Sequence, residues 1–357
     1  MKKLVSILTA VLLLALGLLL PASAEQAAEA PALESEGFRY RLLEDETAEI
    51  LAYVGKDLRL VIPDTLDGHP VTSIGEEAFY NYRYSMEDIT IPATVTHIGS
   101  AAFSMTDLEK IEIPAGVVRM DENPFGYCEQ LKTITVAEGN PVFYVRDGVL
   151  FCREDRSLVC FPSMLADPEE GPAVYTVPAG TEILRSRAFG GVDGLSEVIL
   201  PDSLRVIGFQ AFGFCFGLDR ITLPESVTEI GDAAFDSCRY LVTAVLPAGL
   251  QRIPSMMFYE CENLTAADIP ESVTEIGDGA FAFCYALEEV RIPDGVTAIG
   301  PSAWEACESL RSVVLPDSVQ SIGEAAFASC AEDLVITCDP GSCARTYCEQ
   351  NGIAFRD

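Results

Sequence analysis

The cysteines are the residues of this chain whose type and spacing could do chemistry. Seven of the 12 cysteines recur at one point of a repeated phrase, 23 residues apart from Cys215 onwards. Metal-binding cysteines come in close pairs such as C-x-x-C, and the sequence contains no such pair. Repeated thiols can also lie buried as small apolar side chains. We predict a structural cysteine ladder, with no metal and no cofactor, made of Cys128, Cys215, Cys238, Cys261, Cys284, Cys307 and Cys330.

Disulfides within this ladder are the alternative. Adjacent coils of a repeat would place the cysteine Cα atoms ~5 Å apart, which a disulfide permits. Parallel side chains in register seldom have the Cβ directions that a disulfide needs, so mostly free thiols are favoured.

Catalytic constellations are missing from the sequence. It has two histidines, His69 and His97, and neither is paired with a nucleophile, so both are interpreted as surface residues. No G-x-S-x-G, H-E-x-x-H or Gly-rich phosphate loop is present. We predict that the protein is not an enzyme. The least favoured alternative is a hydrolase with an acidic site near the inserted hairpin described below.

The charge of the chain limits its partners. It has 55 Asp plus Glu against 23 Lys plus Arg, a formal net charge of −32. Nucleic acids and anionic membranes require basic clusters, so both are disfavoured as partners. An acidic surface keeps an extended protein soluble, and it leaves open a basic or cationic partner.

The first residues form a targeting segment. Lys2 and Lys3 precede an apolar run from Leu4 to Leu20, and Ala22-Ser23-Ala24 provides a cleavage site. Residues 1–24 are therefore predicted to be a bacterial Sec-type signal peptide, so the mature chain is secreted or displayed at the cell surface. Residues 25–36 are small and acidic, which predicts a flexible spacer.

A repeat must position the cysteines. Ten aromatic residues head its copies, and from Phe189 to Phe327 they are 23 residues apart. In one copy, "DRITLP" alternates like a strand that ends at Pro224, and Val227 and Ile230 return past the core. Asp232 is predicted to cap a single helical turn after it. One coil cannot bury its own apolar face, so the period predicts a solenoid of parallel stacked strands, mostly β with short helical turns.

The phrase "IPESVTEIGDGAFAFCYALEEVRIP" resembles the BspA-type leucine-rich repeat. The resemblance covers residues 37 to 357 and implies a leucine-rich-repeat solenoid of the α/β horseshoe type. It also implies a protein that bacteria export or display, associated with adhesion to host or neighbouring-cell proteins. It brings no catalytic residues. The repeat departs from the pattern at Pro254, where Gly is usual, and this copy is expected to bend the array.

The remaining segments give the domain organisation. Residues 37–70 alternate as a β-rich N-terminal cap, residues 71–335 form the solenoid, and residues 336–357 form a C-terminal cap with a short helix. The repeat is interrupted near 137–177, where "VLFC" and "LVCF" flank a polar turn and predict an inserted β-hairpin. Cys152 and Cys160 could lie opposite each other across it and form a disulfide.

The predicted function is protein binding through the solenoid surface. The side chain of each strand that is predicted to point outward would form a column that a partner can contact. This column comprises Glu112, Thr135, Ile199, Thr222, Val245, Asp268, Arg291 and Val314. A second aromatic set flanks the cysteine ladder, with partial burial against neighbouring coils as the favoured interpretation: Phe214, Phe216, Tyr240, Tyr259, Phe283 and Tyr285. The alternative function is a structural cell-surface spacer that binds Ca²⁺ weakly.

Overall fold

The computed structural model describes residues 32–82, 86–266 and 268–357. The predicted signal peptide and most of the predicted spacer lie outside these residues. The strands of the first half are β1 (Leu33–Ser35), β2 (Phe38–Leu42), β3 (Ala48–Tyr53), β4 (Arg59–Val61), β5 (Thr65–Leu66), β6 (His69–Ile74), β7 (Asp88–Thr90), β8 (His97–Ile98), β9 (Lys110–Ile113), β10 (Arg119–Met120), β11 (Thr133–Val136), β12 (Phe143–Arg146), β13 (Val149–Cys152) and β14 (Ser157–Cys160).

Two 3-10 turns, Ser163–Leu165 and Pro168–Glu170, lead into the second half. Its elements are β15 (Ala173–Thr176), β16 (Ile183–Leu184), β17 (Leu195–Ile199), β18 (Val206–Ile207), β19 (Arg220–Thr222), β20 (Glu229–Ile230), β21 (Thr243–Val245), β22 (Arg252–Ile253), β23 (Glu275–Ile276), β24 (Glu289–Arg291), β25 (Ala298–Ile299), β26 (Ser312–Val314), β27 (Ser321–Ile322), β28 (Val335–Thr337), the helix α1 (Cys343–Asn351) and β29 (Ala354–Arg356).

The strands stack as a parallel solenoid, which confirms the predicted fold class. A typical coil gives one strand to a front sheet, ending before the repeat proline, and a two-residue strand to a back sheet. The front sheets are β4-β7-β9-β11, β15-β17-β19-β21 and β24-β26-β28-β29. Residues one repeat apart are partners, as Arg220 and Thr243 are in front sheet 2 and Val206 and Glu229 are in a back sheet.

The predicted helical turn is instead a run of turns containing left-handed residues. In the coil of Phe235, Ala233 and Ser237 both have φ of 57°. In this run every second N–H group points toward the next coil. The N–H groups of Ala233, Phe235 and Ser237 donate to carbonyl oxygens there at 2.8, 3.0 and 2.7 Å. We call this third set of contacts between coils the turn ladder. The sequence prediction was wrong because bonds to the next coil replace the bonds that would close a helical turn.

Gly231 lies where the chain enters the turn ladder. A Cβ atom there would lie 2.5 Å from the backbone nitrogen of Phe209 in the preceding coil, so only glycine permits this approach.

The repeat aromatics form the centre of the core. They are buried and stack nearly parallel, with ring centroids 5.1 Å apart for Phe212 and Phe235 and 5.2 Å for Trp304 and Phe327. Such offset stacks add to the burial energy of the rings. One coil contributes too little apolar surface to bury itself, and the neighbouring rings supply the rest.

The insertion is a three-stranded meander, one strand more than the predicted hairpin. Strands β12, β13 and β14 pair antiparallel in order, and β14 then pairs parallel with β16. Phe161, directly after β14, stacks on Phe189 at 5.3 Å. The insertion therefore joins the aromatic stack and rejoins the solenoid in register.

Both ends of the solenoid carry non-repeat elements. Strands β1, β2 and β3 pair antiparallel, so Leu33–Ser35 lies in a sheet although the sequence analysis assigns these residues to the spacer. At the other end Ser342 caps α1 by accepting from the backbone N–H of Arg345, and Gly352 ends the helix with φ of 69°. The Tyr347 hydroxyl accepts the N–H of Phe327 at 3.4 Å, in the place of a further coil.

Candidate binding surface

The eight residues of the predicted outward column are all exposed. Alternation along each strand explains this, because the neighbouring side chains, such as Ile221 and Val313, point into the core. Partners in register include Thr135 with Glu112, Thr222 with Val245, and Arg291 with Val314.

The column is divided among three front sheets. Glu112 and Thr135 lie on front sheet 1. Ile199, Thr222 and Val245 lie on front sheet 2. Arg291 and Val314 lie on front sheet 3, while Asp268 belongs to the coil between front sheets 2 and 3, in which Ala266 pairs in parallel with Thr243 and residue 267 lies outside the described residues. The first division coincides with the insertion near 137–177, where the sequence analysis already finds the repeat interrupted, whereas the repeat phrase continues through the second.

The division between front sheets 2 and 3 has a counterpart in the back sheets, at Pro254. In neighbouring coils the residue at this position is glycine, and Gly231 and Gly277 donate their N–H to the preceding coil at 2.8 and 2.9 Å. Proline has no N–H to donate. Strands β20 and β22, both within the described part of the chain, are not paired, and the back sheets divide there. The turn ladder and the aromatic stack continue across this boundary, which we call the Pro254 seam.

Front sheet 2 presents an uncharged column at the C-terminal ends of its strands. Thr176, Ile199, Thr222 and Val245 occupy it, one on each strand. Ile199 is 47% exposed and Val245 is 54% exposed. Four β-branched side chains without charge stand in a row on a protein of net charge −32. Ile199 and Val245 thus lie in one column with Thr222 between them, and exposed apolar side chains grouped on one face, rather than scattered singly, are typical of contact surfaces.

The cysteine ladder is adjacent to the turn ladder and points inward. All of its members are buried except Cys330, which is half-buried. From Cys215 onwards each thiol donates to the carbonyl oxygen of the aromatic residue one coil earlier, for example Cys238 Sγ to Phe212 O at 3.1 Å. Burial raises the pKa of the Cys238 and Cys261 thiols well above the usual value, so they stay protonated and unreactive at neutral pH. The structure has these thiols free.

The meander does not bring Cys152 and Cys160 opposite each other. The turn over residues 153–156 pairs Cys152 with Ser157, and beyond a register shift in β13 Leu150 pairs with Cys160. The expectation of a facing pair was wrong because Cys160 lies three residues beyond the partner of Cys152 along β14.

His97 does have a potential nucleophile beside it, contrary to the sequence interpretation. Its Nδ1 lies 3.1 Å from Ser73 Oγ, and its Nε2 lies 2.9 Å from Asp121 Oδ2. Ser73 Oγ also lies 3.3 Å from a carboxylate oxygen of Glu49. The set resembles a catalytic triad, but Ser73 is only 3% exposed and is held between strands, so a substrate cannot reach it. The arrangement links coils instead. His69 bonds through Nδ1 to Glu46 O at 2.7 Å.

The second aromatic set forms two edge-to-face pairs. Phe214 and Phe216 have centroids 6.3 Å apart at 83°, and Phe283 and Tyr285 have centroids 6.4 Å apart at 83°. Tyr259 packs on Phe283 at 5.2 Å. Tyr240, Phe214 and Tyr285 are exposed, so the predicted burial against neighbouring coils holds for only part of the set.

Asp236 is a buried acid that the sequence analysis missed. It is 6% exposed, and burial raises its pKa to about 6, assisted by the charge of Glu260. Ser237 Oγ and Gln210 Nε2 donate to its carboxylate at 2.9 and 3.1 Å, which opposes the shift. Its position in the repeat holds residues of mixed size and charge in other coils, among them Gly213, Tyr259, Ala282 and Glu305. The repeat pattern therefore carried no signal that this acid is buried.

Other kinds of site receive no support from the described part of the chain. It contains no group of three His, Cys, Asp or Glu side chains placed to hold a metal ion. It also contains no helix long and apolar enough to cross a membrane. A cavity of about 280 Å³ lies at the C-terminal end, between the last coil and α1. None of its lining residues belongs to the meander, where an acidic catalytic site was considered.

Comparison with known proteins identifies the repeat. The family model of the BspA type leucine rich repeat region, in six copies, matches residues 60–151, 175–288 and 274–340. No curated protein matches the chain.

Solved structures of bacterial repeat proteins are similar in fold. A leucine-rich repeat protein from Eubacterium ventriosum has 20% identity and a TM-score of 0.59, covering 86% of this chain and 95% of its own. One from Bacteroides ovatus has 22% identity and a TM-score of 0.49, covering 91% and 99%. A leucine rich cell surface protein from Faecalibacterium prausnitzii has 22% identity and a TM-score of 0.44, covering 93% and 100%. The likeness to the first shows a shared fold.

Proposed function

This chain belongs to the BspA type leucine-rich repeat family, whose model matches well over half of its length, and from that premise we propose that it is a non-catalytic protein-binding module. It acts after export, outside the cell or at the cell surface, by adhering to a surface protein of a host or a neighbouring cell. Its contact surface is the outward face of front sheet 2.

The uncharged column of front sheet 2 carries this proposal. A partner that covers Ile199 and Val245 removes their apolar surface from water, and the threonines between them supply hydroxyl groups for hydrogen bonds. Front sheets 1 and 3 have charged residues, Glu112 and Arg291, at the corresponding places. A spacer that only holds other parts apart gains nothing from exposed apolar side chains, so the column favours binding over the spacer alternative.

The test begins with capture. The mature protein, immobilised, is exposed to panels of extracellular-matrix proteins and bacterial surface proteins, and the affinity of each retained protein is measured. Ile199→Lys and Val245→Lys each place a charge in the middle of the contact, and each should weaken binding at least tenfold.

Val61→Lys is the matched control. Val61 is 69% exposed and lies in register with Thr90 on the outward face of front sheet 1. The same change of charge there should leave the affinity unaltered. Equal loss from all three variants, or no loss from any, would place the contact surface elsewhere. Retention of no protein from either panel would count against the binding function itself.

A further inference from the structure

One position of the repeat, beside the cysteine ladder, contains both rings and charges. Phe216, Arg239, Glu262 and Tyr285 occupy it in successive coils, followed by Glu308. Two of these coils carry the same edge-to-face ring pair, Phe214 with Phe216 and Phe283 with Tyr285, in nearly identical geometry. The chain therefore presents the same aromatic surface twice, three coils apart.

The first ring pair holds a cation. The Arg239 guanidinium lies over the Phe216 ring, with its Cζ 5.4 Å from the ring centroid. The same guanidinium is paired with Glu260 and Glu262, each at 3.3 Å. A guanidinium over an aromatic face gains electrostatic attraction from the ring, and flanking carboxylates hold it in place.

The second ring pair lacks a cation in the equivalent position. Where Arg239 follows Phe216, Glu308 follows Tyr285. Burial raises the pKa of the Tyr285 hydroxyl, the charges of Glu262, Glu260 and Glu308 add to the shift, and the charge of Arg239 opposes it. Among the described residues none forms a hydrogen bond or an ion pair with the side chain of Glu305 or Glu308, and Glu308 and Tyr285 are exposed.

We propose that Tyr285, with Glu308, is a recognition site for an arginine or lysine side chain that projects from a basic segment of a partner protein. The incoming cation lies over the Tyr285 ring as the Arg239 guanidinium lies over Phe216, and it pairs with the Glu308 carboxylate, for which the described part of the chain provides no ion-pair or hydrogen-bond partner. The charge of the chain, −32, favours approach of a basic segment from a distance. This surface is distinct from front sheet 2, and its test does not involve that sheet.

The test uses a fluorescently labelled peptide of four Gly-Arg repeats, with a Gly-Gln peptide of equal length as the neutral control. Binding is followed by fluorescence anisotropy in 50 mM and 200 mM salt. Glu308→Arg places the chain's own guanidinium where Arg239 stands relative to Phe216, so it should occupy the ring and abolish binding. Glu271→Arg makes the same change of charge at an exposed position outside the turn ladder, and it should reduce binding only slightly.

Tyr285→Leu keeps every charge and removes the aromatic face. It should lower the affinity for the Gly-Arg peptide two- to fivefold, the factor that corresponds to about 0.5–1 kcal/mol for an exposed cation–π contact. Circular dichroism verifies that each variant is folded. Equal losses in Glu308→Arg and Glu271→Arg, with Tyr285→Leu binding like the wild type, would mean that the acidic surface attracts the peptide without a specific site. Absence of binding by the wild type in 50 mM salt would also overturn the proposal.

Discussion

Replacing Asp236 with asparagine should make the protein more stable at neutral pH. The carboxyl group of Asp236 is buried beside the turn ladder, and burial raises its pKa from 3.8 to about 6. The folded state therefore prefers the protonated acid. Its contribution to stability is complete below about pH 4 and is lost as the pH rises through 6. Asparagine has the shape of the protonated acid and does not ionise.

The magnitude follows from the shift in pKa. A shift of about two units corresponds to roughly 3 kcal/mol of stability lost between pH 4 and pH 7. The asparagine amide replaces one acceptor oxygen by a donor, which faces Gln210 or Ser237 and costs about 1 kcal/mol. We expect Asp236→Asn to be about 1 kcal/mol less stable than the wild type at pH 4 and about 2 kcal/mol more stable at pH 7.

The assay is urea unfolding followed by circular dichroism, at half-unit steps from pH 4 to pH 7.5. The difference between the two proteins isolates the titration of Asp236, because all other groups are shared. Asp294→Asn is the matched control at an exposed position, and its stability should follow that of the wild type. A difference between wild type and Asp236→Asn that stays constant over this range would refute the reasoning.

Three further outcomes are expected. Phe258→Ala should lower the free energy of unfolding in urea by about 4 kcal/mol, because the Phe258 ring is buried between Phe235 and Phe281, with centroids 5.6 and 5.5 Å away. Phe209→Ala removes an exposed ring and should lower it by less than about 1 kcal/mol. A thiol reagent should modify all 12 cysteines in urea without reductant and leave the ladder unmodified in the native protein; a shortfall in urea would reveal disulfides. Amide hydrogens on either side of Pro254 should exchange at least tenfold faster than those of the coils before and after, and equal protection would mean that the missing bond does not weaken the seam.

The sequence predicted the solenoid because the information for each coil lies within the coil. The proline that ends each front strand, the alternation before it and the aromatic every 23 residues are all local signals. They were read correctly because neighbouring copies of one phrase must contact each other at equal positions. The turn ladder was misread as helical, since small residues such as Ala233 adopt left-handed φ only when the next coil supplies acceptors.

The candidate sites depended on contacts between coils of different sequence. Glu49, Ser73, His97 and Asp121 come from four coils, and only the register across the back sheet brings them together. The pairing of Arg239 with Phe216 likewise requires that residues one repeat apart be neighbours. Listing the sequence by repeat position would have found both sets, because it places such residues side by side. The separation of Cys152 from Cys160 follows from the turn, which pairs Cys152 with Ser157, and only the register shift that pairs Leu150 with Cys160 has no such signal.

The turn ladder gives the stack a direction. Every N–H in it points toward the C-terminal coil, so the first coil ends in carbonyl oxygens and the last coil ends in donors. A terminating segment at the far end must bring an acceptor, and the hydroxyl of Tyr347 meets that need for Phe327. The two end segments of the solenoid are consequently not interchangeable, and lengthening the solenoid by whole coils is chemically neutral only when the new coils are inserted between these segments.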